Sequence, residues 1–221
     1  MVIKRYHTRE IAVCPEGMCR EIIPRQGKEG SVKHLLLALV ISFNLFAGQN
    51  KPATNSPLVN QEGKPFQLYD LKGKFVFLSF IYTRCPLPNM CPLTVTLNKS
   101  LYQAWKKQKG APELHFLFVT LDPKFDTPAV LKAFAKSRNL DLKHFTLATG
   151  SPEALSSMAA EFQTLAVPEG GFIAHNMTNT LLDPKLMVVR SYAENQWKPE
   201  QVLKEMTSTR DLAAAPPEKE P

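Results

Sequence analysis

Phe75-Val76-Phe77-Leu78-Ser79-Phe80-Ile81-Tyr82-Thr83-Arg84-Cys85-Pro86-Leu87-Pro88-Asn89-Met90-Cys91-Pro92 is the stretch on which the fold turns. Its first eight residues are almost unbroken apolar and rich in aromatic side chains. Such a run suits a strand buried on both faces of a sheet, since a solvated face would impose alternation. After Pro92, Leu93, Leu97, Leu101 and Trp105 recur every four residues, which predicts a helix over 92–108 with one buried stripe. The two cysteines therefore lie between a central strand and a helix, outside the carboxyl end of the strand, where α/β sheets place their ligands. Pro92 suits the first helical position and makes Cys91 the expected N-cap. Unpaired N–H groups, the positive helix end and Arg84 nearby are then expected to lower the thiol pKa. Pro86 and Pro88 stiffen the loop between the sulfurs. The bland alternative is a buried or disulfide-bonded pair with no chemistry.

Working outward, residues 57–60 and 66–68 flank a Glu62-Gly63 turn and read as a hairpin. A second buried strand is expected at 114–121. Thr127 caps the next helix, with Pro128 at its first position and Val130, Leu131 and Phe134 facing inward. Residues 145–148 read as a short strand, and Ser151-Pro152-Glu153 opens a helix reaching about 162. Strands at 177–182 and 187–191 surround the turn Asp183-Pro184-Lys185, and a last helix runs over 199–207. Alternating strands and helices closed by an antiparallel hairpin imply an α/β protein. Its plan is a thioredoxin-like mixed sheet flanked by helices, with an added N-terminal β-hairpin.

The ends of the chain read differently. Lys33-His34 precedes a 13-residue apolar run, Leu35 to Ala47. A basic start followed by a run of that length describes a secretory signal, and 13 residues are few for a helix crossing about 30 Å of hydrocarbon. Residues 32–48 are accordingly a signal peptide or, with Leu45 spoiling the cleavage site, an uncleaved membrane anchor. The mature domain is expected outside the cytoplasm, periplasmic or held at the outer face of the cytoplasmic membrane. Signals begin a few residues before the apolar run, so residues 1–31 form a doubtful extension and translation is expected near Val32. Residues 49–56 read as a linker, 57–208 as the domain and 209–221, rich in Ala, Pro, Lys and Glu, as a disordered tail. The net charge of +7 is scattered and forms no basic stripe, which argues against a nucleic-acid partner.

Several ordered motifs resemble the Sco/SenC family of thioredoxin-like copper proteins linked to cytochrome c oxidase assembly. They are Phe80-Ile81-Tyr82-Thr83-Arg84-Cys85-Pro86, Cys91-Pro92-Leu93, Val119-Thr120-Leu121-Asp122-Pro123, Asp126-Thr127-Pro128 and Thr149-Gly150-Ser151-Pro152-Glu153, followed by His175 and Leu181-Leu182-Asp183-Pro184. The family motif has three residues between its cysteines; here there are five, as in a longer-loop branch. The family often has Asp before its histidine, where this chain has Ala174. The resemblance implies that Cys85, Cys91 and His175 ligate copper. Thiolates suit Cu(I), and an added imidazole accommodates Cu(II), although Zn(II) tolerates the same atoms. It also implies copper delivery to, or preparation of, the Cu(A) site, with an oxidase subunit or its assembly factors as partner. A metal-free alternative uses Cys85 and Cys91 as the redox pair of an extracytoplasmic thiol–disulfide oxidoreductase.

Other residues have plainer roles open to them. Gly170-Gly171 suggests a mobile loop able to swing His175 toward the sulfurs. Met90 reads as packing or as a soft fourth ligand. Asp122 reads as a turn former or site-orienting group, Asp126 as support for the helix start. His115 and His144 read as structural. Cys14 and Cys19 form a lone C-x4-C with no second pair, and His7 and His34 fall in or before the signal.

Overall fold

The computed structural model describes residues 55–214 of the chain, with side chains to residue 211. The signal or anchor, Cys14 and Cys19, and most of the linker lie outside the described residues.

Strands β1 (Leu58–Asn60) and β2 (Pro65–Phe66) form the hairpin, followed by a 3-10 turn at Leu68–Leu71. Then come β3 (Phe75–Ile81), α1 (Cys91–Lys106), β4 (Leu114–Thr120), α2 (Pro128–Ser137), β5 (Phe145–Thr149) and α3 (Pro152–Glu161). After them stand β6 (Ala166–Glu169), β7 (Phe172–His175), β8 (Thr178–Leu182), β9 (Val188–Ala193) and α4 (Pro199–Ala214). The main sheet runs β2-β1-β5-β4-β3-β8-β9. Its centre, β5-β4-β3, is parallel; β8, β9 and the β1–β2 hairpin attach antiparallel at the two sides. The thioredoxin-like plan with its added hairpin is therefore the fold.

All seven residues of β3 and all seven of β4 are buried, for the reason the uninterrupted apolar runs suggest. Successive side chains point to opposite faces. Phe75, Phe77 and Ile81 pack with α1, α2 and α4 on one face, while Val76, Leu78 and Phe80 pack with the 3-10 turn and α3 on the other. Thr127 and Ser151 cap α2 and α3 by accepting the N–H groups of Val130 and Ala154, and a proline follows each cap.

Three expectations are corrected. α1 begins at Cys91, with Met90 as N-cap, so the cysteine sits in the helix and its side chain turns inward. The stretch read as a mobile loop before His175 is a two-stranded hairpin, β6–β7, turning at Gly170-Gly171 with φ of 54° and 91°. Only glycine adopts such values freely. The last helix continues to Ala214, past 207 and into the segment read as disordered tail. Buried Met206 and a bond from Arg210 Nη1 to the Gly110 carbonyl, 3.1 Å, hold its final turns against the domain.

Candidate metal centre

The loop leaving β3 is anchored by a carboxylate. Asp126 is fully buried and accepts the Thr83 N–H at 3.1 Å, the Thr83 hydroxyl, and the Thr120 hydroxyl at 2.5 Å. It ties the residues before Cys85 to the end of β4, a wider role than supporting a helix start. Asp122 pairs with Arg84 Nε at 2.6 Å, and the Arg84 guanidinium lies over the Phe125 ring. The bond to Asp122 pushes the Arg84 pKa up, so that charge is engaged by its own partner rather than by a thiol.

Both cysteines are free. Cys85 is half-buried, with Sγ 3.9 Å from the Leu87 carbonyl. Cys91 is 2% exposed. Its thiol pKa is raised, first by burial and then by the charge and hydrogen bond of Cys85, against a partial offset from the Tyr82 backbone. The expected lowering at the helix end is therefore reversed, because a buried sulfur loses more hydration than one turn of helix restores. Tyr82 is pushed up to about 12, again chiefly by burial.

His175 closes the arrangement from the far side. The β6–β7 register places Ile173 and His175 on one face of the hairpin, and Val167 and Ala174 on the other. The inner face is held by the Ile173 N–H, which donates to the Tyr82 hydroxyl at 3.4 Å, and the Tyr82 ring meets the His175 ring edge-on at 5.8 Å. Asn176 fixes the hairpin base, accepting the Leu165 N–H at 2.6 Å and donating to the Gln163 carbonyl at 2.8 Å. Nδ1 of His175 lies 3.0 Å from the Asn176 carbonyl. A carbonyl only accepts, so Nδ1 carries the proton and Nε2 keeps its lone pair. That nitrogen points at Cys91 Sγ, 3.5 Å away. Burial lowers the His175 pKa and keeps the ring neutral, with the Asn176 bond opposing. The orienting contact that Ala174 does not provide comes instead from main chain.

Bonds of about 2.3 Å to sulfur and about 2.0 Å to imidazole, meeting near the tetrahedral angle, hold their donors about 3.5 Å apart. The Cys91–His175 pair has that spacing. Among the described residues no group of three His, Cys, Asp or Glu side chains is gathered to hold an ion as it stands. Cys85 is the third donor within the loop, its Sγ 3.9 Å from the Leu87 carbonyl. Met90 lines, with His175, a cleft of about 570 Å³ that opens beside the centre. His115 and His144 lie at the opposite end of the sheet. The residue missed in the sequence is Asn195, whose Nδ2 donates to the Asn89 and Met90 carbonyls at 3.2 Å each. It comes from the turn after β9, and no spacing rule links it to the cysteines.

Fold and site together define a thioredoxin-like protein with a dithiol at the mouth of its sheet and an imidazole facing it. The chain belongs to the SCO1/SenC family, whose profile matches residues 48–210. A putative copper-binding protein of Stutzerimonas stutzeri is 29% identical over 132 residues, 58% of this chain and 62% of that one. The crystal structure of a SCO1/SenC family lipoprotein from Bacillus anthracis superposes with a TM-score of 0.66 at 29% identity, covering 72% of this chain and 95% of that one. BsSco superposes with a TM-score of 0.64 at 25% identity, covering 74% and 96%; it is described as a member of the Sco family of cytochrome c oxidase assembly proteins with a disulfide switch. The chain spans about half the length of the curated relatives it matches.

Proposed function

We propose that this chain is a Sco-type copper protein that takes copper through Cys85, Cys91 and His175 and delivers it to, or prepares, the Cu(A) site of cytochrome c oxidase. The observation that carries the reading is the unprotonated Nε2 of His175 set 3.5 Å from the Cys91 sulfur. Two thiols and one imidazole form a donor set for Cu(I) that also accommodates Cu(II). Cys85, on the half-buried loop, completes the set by turning from Leu87. The copper-binding relative and the oxidase-assembly description of BsSco support metal and partner respectively. Residues 35–47 would export the domain or anchor it to the outer face of the membrane.

Copper titration with optical spectra tests this. A single copper ion per chain with sulfur-to-copper charge-transfer bands is expected. Cys85→Ser and His175→Gln should each weaken binding by more than about 100-fold, beyond the loss typical of an outer hydrogen bond. His115→Gln should leave it unchanged. A wild-type protein that gains no copper overturns the reading.

A second reading rests on the two free, neighbouring thiols and the disulfide switch described for BsSco. Here Cys85 and Cys91 pass two electrons and two protons to a partner disulfide and become joined themselves. It requires both cysteines and is indifferent to His175, so reduction of a partner by His175→Gln at the wild-type rate separates it from the first.

A further inference from the structure

The two halves of the centre come from distant parts of the chain, and one turn touches both. The Glu194 N–H donates to the Met177 carbonyl at 2.6 Å, two residues beyond His175. The next residue, Asn195, donates to the Asn89 and Met90 carbonyls, immediately before Cys91. Glu194 has a φ of 57°, a region that a residue with a Cβ adopts only when its surroundings demand it. They do: its N–H is held by Met177, and its carbonyl accepts Asn179 Nδ2 at 3.1 Å.

Behind this turn lies a closed ring of hydrogen bonds in the core. The Ser79 hydroxyl donates to Asn179 Oδ1 at 2.7 Å, and Asn179 reaches the Glu194 carbonyl. The Thr94 hydroxyl stands 3.0 Å from Asn195 Oδ1 and 3.1 Å from the Met90 carbonyl. Asn98 Nδ2 donates to the Thr94 carbonyl at 2.9 Å and back to Ser79 Oγ at 3.4 Å. Ser79, Thr94, Asn98 and Asn179 are all fully buried. Polar groups in a core cost desolvation that apolar residues of equal size avoid, whereas a connected network fixes a single geometry. The Met90 carbonyl, on the peptide from which Cys91 hangs, meets the Thr94 N–H at 2.9 Å as well as Thr94 Oγ1 and Asn195 Nδ2.

We propose that the Glu194-Asn195 turn is a brace that sets Cys91 against His175, with Asn195 as the positioning residue. The inference rests on the reading of Cys91 and His175 as the working donors. Asn195 acts through the Met90 peptide. Its half-buried place on a turn lets it be changed while the core stays packed.

The test uses metal-free, reduced full chain and iodoacetamide, with the alkylation of each cysteine read by mass spectrometry. In Asn195→Ala, Cys91 should react at least about tenfold faster while Cys85 keeps its rate, because only the α1 start is released. Thr94→Val, which keeps the volume and removes the hydroxyl, should reproduce the effect; Thr94→Ser should restore the wild-type ratio. Copper titration of the same variants should show about 10- to 100-fold weaker binding and shifted charge-transfer bands, the usual scale for loss of an outer hydrogen bond. An unchanged Cys91-to-Cys85 ratio in folded Asn195→Ala and Thr94→Val overturns the brace. If wild type takes up no copper, the copper reading falls while the alkylation ratio still decides the brace. If Asn195→Ala does not fold, the Thr94 pair decides it.

Discussion

Two histidines with lowered pKa values stand in different sheets, His115 in the main sheet and His175 in the β6–β7 hairpin, and only one is free to act. His115, near the start of β4, is buried with its Nε2 2.9 Å from the Thr146 hydroxyl, so its nitrogen is already satisfied. Around that end, packing is aromatic: Phe116 stacks on Phe145 at 4.5 Å, and Trp105 meets His144 at 5.0 Å. His175 is half-buried on a hairpin outside the main sheet, and its Nε2 faces a thiol. Burial keeps both rings neutral. The difference is what Nε2 faces: a hydroxyl in a structural bond at one end, a sulfur at the other. A low-pKa histidine is thus no marker of function until its second nitrogen has been accounted for.

The contrast can be broken most severely at the carboxylate that organises the sulfur end. Asp126→Ala would leave the Thr83 N–H and two hydroxyls without an acceptor. A loss of at least about 3 kcal/mol in urea unfolding is expected, at roughly 1–3 kcal/mol for each buried unsatisfied group. A loss under 1 kcal/mol would mean the loop before Cys85 is held by something else.

Acid should act next, through the far end. Burial, assisted by the charges of Lys74 and His144, takes the His115 pKa from 6.5 to about 4. Between those values the unfolded chain binds more protons than the folded one, so stability is intact above pH 6.5 and falls as pH drops towards 4. At roughly 1.4 kcal/mol per pH unit the contribution is about 3 kcal/mol at most. Unfolding at pH 7 and pH 4.5 should show a drop in wild type that shrinks in His115→Gln; equal drops would remove His115 as the cause.

The smallest effect belongs to the outer face of the β6–β7 hairpin. Leu165 and Val167 there are 73% and 61% exposed. Val167→Thr should shift stability by less than about 0.5 kcal/mol, as for most surface changes. A larger loss would show that the hairpin owes its place to that face rather than to Ile173, Tyr82 and Asn176.

Much of this was legible in the chain itself. The runs at Phe75 and Leu114 announced strands buried on both faces, and Thr127-Pro128 and Ser151-Pro152 announced helix starts, because local pattern and final burial agree there. The β6–β7 hairpin escaped notice because every residue of Ala166–Glu169 is exposed and Pro168 interrupts it, leaving no apolar alternation to read. Pro92 points to Cys91 as the cap, one position off, with a large consequence: at the cap a thiol faces the helix dipole and solvent, whereas one residue on it faces the core.

By itself, the sequence determined the order of the helices and main-sheet strands, the parallel centre of the sheet and the station of both cysteines at its mouth. Those follow from periodicities of two and 3.6 and from turn chemistry, all of which act within a few residues. Tertiary structure alone decided which nitrogen of His175 is free, that it stands 3.5 Å from Cys91, and that burial raises the pKa of that thiol. It also decided that Asn195 braces the peptide before Cys91. The Cys91–His175 and Met90–Asn195 approaches join groups 84 and 105 residues apart in the chain, and distance and desolvation between such groups exist only once the sheet has closed.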